Sequence, residues 1–244
     1  MITKDNLGQF CYSNVDHIEG EVRGICVSFR GLGNAAMISD DTDHPTLVPI
    51  VERAQRLARA GVVFFVPYLD PWNWLNDQAV KTTDAIIDAI IDKFYLTDDV
   101  RIVSSGGSMG GMCALTYMVY ASRTPIGCVA NCPVCDLPYH YTERPDLPRT
   151  FYSAYYNSGM TMEEALRAHS PLHLADRMPK EAAYYIFHCE EDRAVNIDAH
   201  TKKLLDAIGG RLRVTFHSVP ERGHCALTEE MSAKYEEYIL EALK

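Results

Sequence analysis

The chain has 244 residues, of which 47% are hydrophobic and 23% charged, a composition typical of a soluble globular protein with a sizeable core. Its formal net charge of −10 argues against nucleic acid or an anionic membrane as a partner, and no stretch has the length of a transmembrane helix. The polar N-terminus lacks the apolar core of a signal peptide, so we expect a cytoplasmic protein.

Along the chain, apolar strand-like segments alternate with segments of helical periodicity. The strand patterns lie at 9–12, 21–22, 25–29, 62–66, 101–103, 126–131, 184–188 and 212–217. The helix patterns lie at 47–60, 77–94, 109–122, 196–208 and from 228 toward the C-terminus. Such alternation predicts an α/β fold whose mainly parallel sheet carries helices on both faces, and the leading strands without helices predict an antiparallel start.

The alternation is interrupted between residues 132 and 179. This stretch is rich in proline and tyrosine and contains one capping box, Thr161–Glu164, that starts a short helix. It is too long for a simple connection and too short for a second independent domain. We therefore expect a single domain over residues 1–244, with a small cap inserted at about 132–179.

The segment Gly106-Gly107-Ser108-Met109-Gly110 joins a strand pattern to a helix pattern. Gly-x-Ser-x-Gly at such a junction is typical of a nucleophile elbow, where a strained turn exposes the serine hydroxyl above the sheet. The flanking glycines are needed because a Cβ there would collide with the neighbouring strand or helix. On its own, the pattern also fits a glycine-rich turn that only packs or that binds a phosphate.

A serine nucleophile needs a general base and an acid that orients the base. Among nine histidines we favour His224, which lies in a glycine-containing loop between the last strand and the last helix. Asp192, which follows strand 184–188, is favoured as the acid over Asp136, which follows the preceding strand. The order Ser108, Asp192, His224 is the one expected for an α/β-hydrolase.

The tetrahedral intermediate of acyl transfer also requires an oxyanion hole with two oriented N–H donors. The backbone N–H of Met109, directly after the serine, is one candidate donor, and that of Leu32, in the loop Arg30–Asn34, is the other. Aromatic side chains from one strand-end loop and from the cap are candidates for the walls of a substrate pocket, although packing of the cap fits them equally well. These candidates are Tyr68, Trp72, Trp74, Tyr139 and Tyr155.

These motifs together resemble the α/β-hydrolase superfamily, and more narrowly its prolyl oligopeptidase and dienelactone hydrolase-like branch. The resemblance covers residues 22–243 and is carried by the segments 29–33, 106–111, 170–172, 188–195 and 223–224. It implies the α/β-hydrolase fold and a serine nucleophile that needs no metal or organic cofactor. Arg30 replaces the histidine usual before the oxyanion glycine, and Cys189 replaces the glycine usual after His188.

We therefore expect a serine hydrolase of the carboxylesterase type, a monomer or homodimer, that cleaves a small-molecule ester through an acyl-enzyme. One alternative is a stand-alone peptidase or amidase of the prolyl oligopeptidase type, acting on short peptides. That activity would need an acidic pair to hold a substrate amino terminus, for which Asp40, Asp41 and Asp43 are candidates. A non-catalytic binding module on the same scaffold is the alternative from a different class.

Eight cysteines, most of them in apolar segments, are expected to be reduced thiols. Cys132 and Cys135 form the one Cys-x-x-Cys pair, which fits a redox pair or half of a zinc site as well as packing. A structural zinc site needs two further ligands, and the chain has no second Cys-x-x-Cys. We therefore expect no metal site and keep a redox role of this pair as a separate hypothesis.

Overall fold

A seven-stranded sheet organises residues 1–33 and 37–244, which are the residues that a computed structural model describes. Its strands are β1 (Cys11–Ser13), β2 (Gly24–Phe29), β3 (Val62–Pro67), β4 (Ile102–Gly107), β5 (Gly127–Asn131), β6 (Ala183–Cys189) and β7 (Arg213–Val219). The α-helices of the described residues are α1 (Val48–Arg59), α2 (Asp77–Phe94), α3 (Met109–Tyr120), α4 (Leu137–Glu143), α5 (Leu147–Tyr155), α6 (Met162–Ala168), α7 (Lys203–Ile208) and α8 (Glu229–Ala242).

The strand order is β1-β3-β2-β4-β5-β6-β7, and only β1 runs antiparallel to its neighbour. The predicted mainly parallel sheet with an antiparallel start is therefore confirmed. The strand predicted at 21–22 is wrong, because the parallel ladder of β2 begins only at Gly24, opposite Val62. Among the described helices, none is long and apolar enough to cross a membrane.

The helix predicted at 196–208 begins differently from its pattern. Asn196 accepts hydrogen bonds from the N–H groups of Asp198 and Ala199, as expected of an N-cap, but residues 198–202 form a π-helical turn before α7. This wider turn carries two fully buried polar side chains, His200 and Thr201, that hydrogen-bond to neighbouring elements. Such π turns are frequent where side chains must be re-aimed at functional sites.

Apolar side chains cover both faces of the sheet. On one face α1 and α8 pack against the strands, while the other face is covered by α2, α3 and the cap, which contains α4 to α6. The fully buried Phe151 of the cap stacks on Trp74 with ring centroids 4.1 Å apart, and Tyr155 donates a hydrogen bond to the Trp74 carbonyl at 2.6 Å. The cap is thus packed into the same apolar cluster as α2 and α3.

The chain from the end of β4 to the start of α3 passes so close to β2 that only glycine fits at two positions. A Cβ on Gly106 would lie 2.8 Å from the Phe29 carbonyl oxygen, and one on Gly110 would lie 2.7 Å from the Phe29 carbonyl carbon. Real Cβ atoms do not approach backbone so closely, and neither neighbour is a flexible side-chain end. A Cβ on Gly107, by contrast, would have the Cys225 Sγ as its nearest neighbour, at a distance of 3.4 Å, which needs little adjustment.

Replacing Gly110 with alanine is therefore expected to destabilise the fold. The added methyl group must displace the β2 backbone, and overpacking of this kind costs about 1–3 kcal/mol or more. Urea unfolding of Gly110→Ala should show a midpoint well below that of the wild type. Gly107→Ala is the matched control and should unfold close to the wild type; equal midpoints for the two variants would contradict the steric account.

Candidate active site

Ser108 lies at the turn between β4 and α3 with φ 59° and ψ −127°, a backbone conformation that residues other than glycine rarely adopt. The turn is fixed by neighbouring elements, since the Ser108 N–H donates to the Asn131 carbonyl of β5 at 2.9 Å. The Tyr235 hydroxyl of α8 accepts from the Gly106 N–H and donates to the Val129 carbonyl, both at 2.9 Å. The strained turn expected from the Gly-x-Ser-x-Gly pattern is thus present, with the serine half-buried at its apex.

His224 and Asp192 meet at the carboxyl ends of β6 and β7. The imidazole Nδ1 lies 2.6 Å from Asp192 Oδ2, and the other carboxylate oxygen accepts from the N–H groups of Ala194 and Val195 at 2.9 Å each. Burial raises the pKa of Asp192, but the hydrogen bonds from His224 and Val195 outweigh burial and hold that pKa below its ordinary value. The carboxylate is therefore ionised and fully buried, while the imidazole is 32% exposed.

His188 lies beneath this pair and is fully buried. Its Nε2 lies 2.9 Å from the Val195 carbonyl, to which it donates, and its Nδ1 lies 2.7 Å from the Thr201 hydroxyl. Burial lowers the pKa of His188 to about 4, so this imidazole is neutral near pH 7. The Nε2 of His188 lies 3.7 Å from Asp192 Oδ2. The neutral ring therefore helps to fix the loop that contains Asp192 without adding a positive charge.

Asp136, the competing acid, lies in a different environment. Its carboxylate accepts from the Tyr139 N–H as the N-cap of α4 and lies 3.3 Å from the Lys203 ammonium group. Within the described residues, its carboxylate makes no hydrogen bond or ion pair with His224. Ser108 Oγ likewise has no hydrogen-bond partner among these residues; catalytic hydrogen bonds are often long in substrate-free enzymes.

A cavity of about 710 Å³ opens above Ser108. Ser108, His224, Leu32 and Met109 all line it, so the proposed nucleophile, base and oxyanion donors share one space. The N–H of Gly33, whose φ is +78°, donates to the Pro71 carbonyl at 3.0 Å and so fixes the loop just after Leu32. Asn34, the last residue of the predicted oxyanion loop, falls outside the described residues.

The five predicted pocket aromatics do not all reach this cavity. Trp74 lines it, whereas Tyr68 lines a separate cavity of about 100 Å³ next to the oxyanion loop. Trp72, Tyr139 and Tyr155 line neither cavity, which corrects the expectation from sequence. Their side chains are used elsewhere: the guanidinium of Arg149 covers Trp72, the ammonium of Lys203 covers Tyr139, and Tyr155 is buried under Trp74.

The model of the prolyl oligopeptidase family matches residues 72–242, which is more than half of the chain. The chain belongs to the prolyl oligopeptidase family. This membership places it among the serine hydrolases, a class that includes esterases and peptidases. Comparison with curated proteins gave no match.

Solved structures share its fold. Puromycin hydrolase superposes with a TM-score of 0.70 at 17% identity over 91% of this chain, but this chain spans only 34% of that protein. Est1E from Butyrivibrio proteoclasticus gives 0.65 at 14% identity, over 96% of this chain and 93% of Est1E. Esterase 2 of Thermogutta terrifontis, phosphoramylated by tabun, gives 0.64 at 17% identity over 96% of this chain and 88% of that chain. The predicted α/β-hydrolase fold is confirmed.

In this family member, the cavity lining is basic. Three arginines line the cavity, and none of the described lining residues is an aspartate or glutamate. Arg53 lies 3.2 Å from Glu236 and stacks over the Tyr235 ring, and Arg144 lies 2.7 Å from Asp146. The third, Arg30, is half-buried at the start of the proposed oxyanion loop, and burial lowers its pKa. No sequence pattern predicts this lining, because the arginines come from three distant segments.

The cap also contributes a histidine that sequence analysis did not single out. His140 of α4 lines the cavity and pairs through Nδ1 with Glu143, whose same oxygen lies 3.1 Å from His200 Nε2. Burial raises the pKa of Glu143, but the hydrogen bonds from His140 and His200 outweigh burial and lower that pKa to about 2. A partly buried, charged acceptor thus ties the cap to the π-helical turn.

The Glu143 carboxylate predicts a pH-dependent contribution to stability. Since its pKa falls from 4.5 to about 2 on folding, its stabilising effect is fully present above pH 4.5 and is lost as the pH falls toward 2. The stability difference between wild type and Glu143→Gln, measured by urea unfolding, should therefore be largest near neutral pH and shrink in that acidic window. Glu163→Gln, which removes an exposed pair with Arg167, should differ little from wild type at any pH. A pH-independent difference for Glu143→Gln would contradict this account.

Proposed function

We propose that the protein is a carboxylesterase-type serine hydrolase that cleaves small-molecule esters. In this proposal Ser108 is the nucleophile, His224 the general base and Asp192 the acid that orients the imidazole. Residues 1–244 act as one catalytic domain, and the cap at about 132–179 covers the active site. The 2.6 Å contact between His224 and Asp192, together with the strained turn at Ser108 beside the same cavity, supports these roles.

The chemistry follows from this arrangement. His224 takes the hydroxyl proton through Nε2 as Ser108 Oγ attacks the ester carbonyl carbon, and the carbonyl oxygen becomes an oxyanion. The N–H groups of Leu32 and Met109 are the proposed donors to that oxyanion. Collapse of the intermediate expels the alcohol, which receives the proton from His224. Water then attacks the acyl-enzyme by the same steps and releases the carboxylic acid.

The charge of the cavity lining favours an ester over a peptide with a free amino terminus. No carboxylate lines the cavity within the described residues, so no described lining group could pair with the ammonium group of a substrate. Asp40, a candidate for holding an amino terminus, instead accepts a hydrogen bond from Tyr12 at 2.8 Å and lies 3.0 Å from His17. Asp41 and Asp43 are exposed and do not line the cavity. This absence of acid at the cavity is the observation that carries the preference.

The neighbours point in both directions. Two of the three structures described above are esterases, each nearly the length of this chain, which supports an ester substrate. Puromycin hydrolase, a much longer protein, supports the alternative of an amidase or peptidase.

A substrate panel tests the function directly. We expect aryl and alkyl esters with neutral or anionic acyl groups to be hydrolysed, and aminoacyl anilides with a free ammonium group to be poor substrates, since no carboxylate of the described lining would pair with that charge. Initial rates should be measured with Ser108→Ala as the blank. A panel in which only the aminoacyl anilides are hydrolysed would overturn the ester assignment.

Covalent labelling separates a catalyst from a binding module. A fluorophosphonate should label the wild type at Ser108, as identified by peptide mass spectrometry, and should not label Ser108→Ala. One esterase of the same fold is known in a form phosphoramylated by tabun, which supports the choice of a phosphorus-based reagent. A protein that takes no label at Ser108 would be incompatible with a nucleophilic role.

The choice of acid is tested by a matched pair of variants. Asp192→Asn removes the charge that stabilises the imidazolium and the acceptor that fixes its tautomer, so kcat/KM should fall by about 10⁴-fold. Asp136→Asn changes only the cap of α4 and its pair with Lys203 and should keep most of the activity. Greater loss for Asp136→Asn than for Asp192→Asn would reverse the assignment.

A further inference from the structure

Two thiols lie next to the proposed catalytic base. Among the described residues, Cys132 Sγ, Cys225 Sγ and a ring nitrogen of His224 all lie within 4.8 Å of one another, and the Cys225 Sγ is 3.8 Å from His224 Nε2. Cys132 is fully buried at the end of β5, while Cys225 is partly exposed and lines the cavity. The cluster therefore connects the protein interior to the open active site.

These separations suit a tetrahedral zinc ion. With Zn–S bonds of about 2.3 Å and Zn–N bonds of about 2.0–2.1 Å, two ligands on one tetrahedral ion are about 3.6 Å apart for nitrogen and sulfur and about 3.8 Å apart for two sulfurs. Small side-chain rotations would bring the three donor atoms to those values. Two thiolates and one imidazole form a donor set that zinc binds with a fourth position open.

The protonation of His224 also fits metal binding. Its Nδ1–H is donated to Asp192 at 2.6 Å, which leaves the lone pair of Nε2 directed at the thiols. Zinc-bound histidines commonly donate their other ring N–H to a carboxylate, which orients the ring and makes it a better ligand. The contact that prepares His224 for catalysis therefore prepares it equally for a cation.

Two other clusters of possible ligands in the described residues lack this feature. His200 Nδ1 accepts N–H groups from Cys135 and Asp136 at 3.2 Å each, so its proton is on Nε2, where a metal shared with His140 and Glu143 would have to bind. The second cluster consists of Cys132, His188 and Asp192. There, both ring nitrogens of His188 already make hydrogen bonds, with Val195 and Thr201. Among the described residues, the Nε2 of His224 instead contacts the Cys225 Sγ, which is itself one of the possible ligands.

We propose that Cys132, Cys225 and His224 form an inhibitory binding site for Zn²⁺ or a similar thiophilic divalent cation. On binding, two Zn–S bonds and one Zn–N bond form, and the two thiol protons leave to solvent. The lone pair of His224 Nε2 is then bound to the cation and cannot accept the Ser108 proton. The inhibition rests on the proposed function, whereas the binding site does not.

The surroundings of the thiols agree with such a site. Both Cys132 and Cys225 have positive φ angles, 45° and 56°, which are strained for residues other than glycine, and their Sγ atoms lie within 4.8 Å of each other. The Cys225 Sγ also lies next to the nucleophile turn, 3.4 Å from where a Cβ on Gly107 would be. A cation that enters through the cavity would therefore meet Cys225 and His224 first and Cys132 behind them.

Inhibition is tested with the hydrolysis of an aryl ester in the presence of Zn²⁺. The wild type should be inhibited, with activity restored by EDTA. Cys225→Ala and Cys132→Ala, each compared with its own metal-free rate, should need at least about tenfold more Zn²⁺ for half inhibition, as loss of a ligand costs more than loss of an outer-shell partner. Cys135→Ala, the matched control, should retain the inhibition of the wild type. Unchanged inhibition in Cys225→Ala would overturn the site.

Binding is measured separately from catalysis with Co²⁺, which substitutes for zinc and gives a near-ultraviolet sulfur-to-cobalt charge-transfer band. Ser108→Ala should develop this band with one equivalent of Co²⁺, and the double variant Ser108→Ala/Cys225→Ala should show a much weaker one. The band, together with a wild type that hydrolyses no ester, would keep the site and reject the proposed function. Ester hydrolysis without the band and without Zn²⁺ inhibition would reject the site.

Disulfide formation between Cys132 and Cys225 is the competing use of these thiols. It would need an oxidant such as a peroxide, which takes two electrons and two protons as the S–S bond forms. Inhibition that is reversed by the phosphine reductant TCEP but not by EDTA would show a disulfide and overturn the metal site. Inhibition that EDTA reverses and TCEP does not supports the metal site.

Discussion

The close crossing of α3 over β2 is the constraint on which the active site depends. Because Gly106 and Gly110 lack side chains, the turn between β4 and α3 can press against the backbone of Phe29. Ser108 has a positive φ at the apex of this turn, and the loop after β2 lines the same cavity. Hydrogen bonds that the turn donates to Tyr235 and Asn131 then hold it against two further elements. The backbone strain is thus stabilised by elements far away in sequence.

A second property is the contrast in charge between the whole molecule and the cavity above Ser108. The chain carries a net charge of −10, yet three arginines and no carboxylate line the cavity among the described residues. Carboxylates outside the cavity, such as Glu236 and Asp146, pair with two of these arginines and lower the cost of placing them together. The charged residues that line the cavity therefore differ in sign from the net charge of the chain.

The environment of His224 links catalysis to the neighbouring thiols. Asp192 fixes the proton on Nδ1 and leaves the lone pair on Nε2, which is the arrangement needed both for proton transfer from Ser108 and for binding a cation. The fully buried Cys132 and the cavity-lining Cys225 place two sulfurs beside that lone pair. Mechanism and proposed inhibition thus share one atom, so the two functions exclude each other at any moment.

The sequence by itself determined the parallel sheet, the strained turn at Ser108 and the candidates His224 and Asp192, because periodicity and glycine spacing are local properties of the chain. It could not choose between Asp192 and Asp136 by contact, since only the folded chain brings Asp192 to 2.6 Å from His224. Tertiary structure alone also removed Trp72, Tyr139 and Tyr155 from the cavity, introduced the three arginines, and grouped Cys132 with Cys225 rather than with its neighbour Cys135. Side-chain direction and long-range packing decide such contacts, and neither is encoded by spacing along the chain.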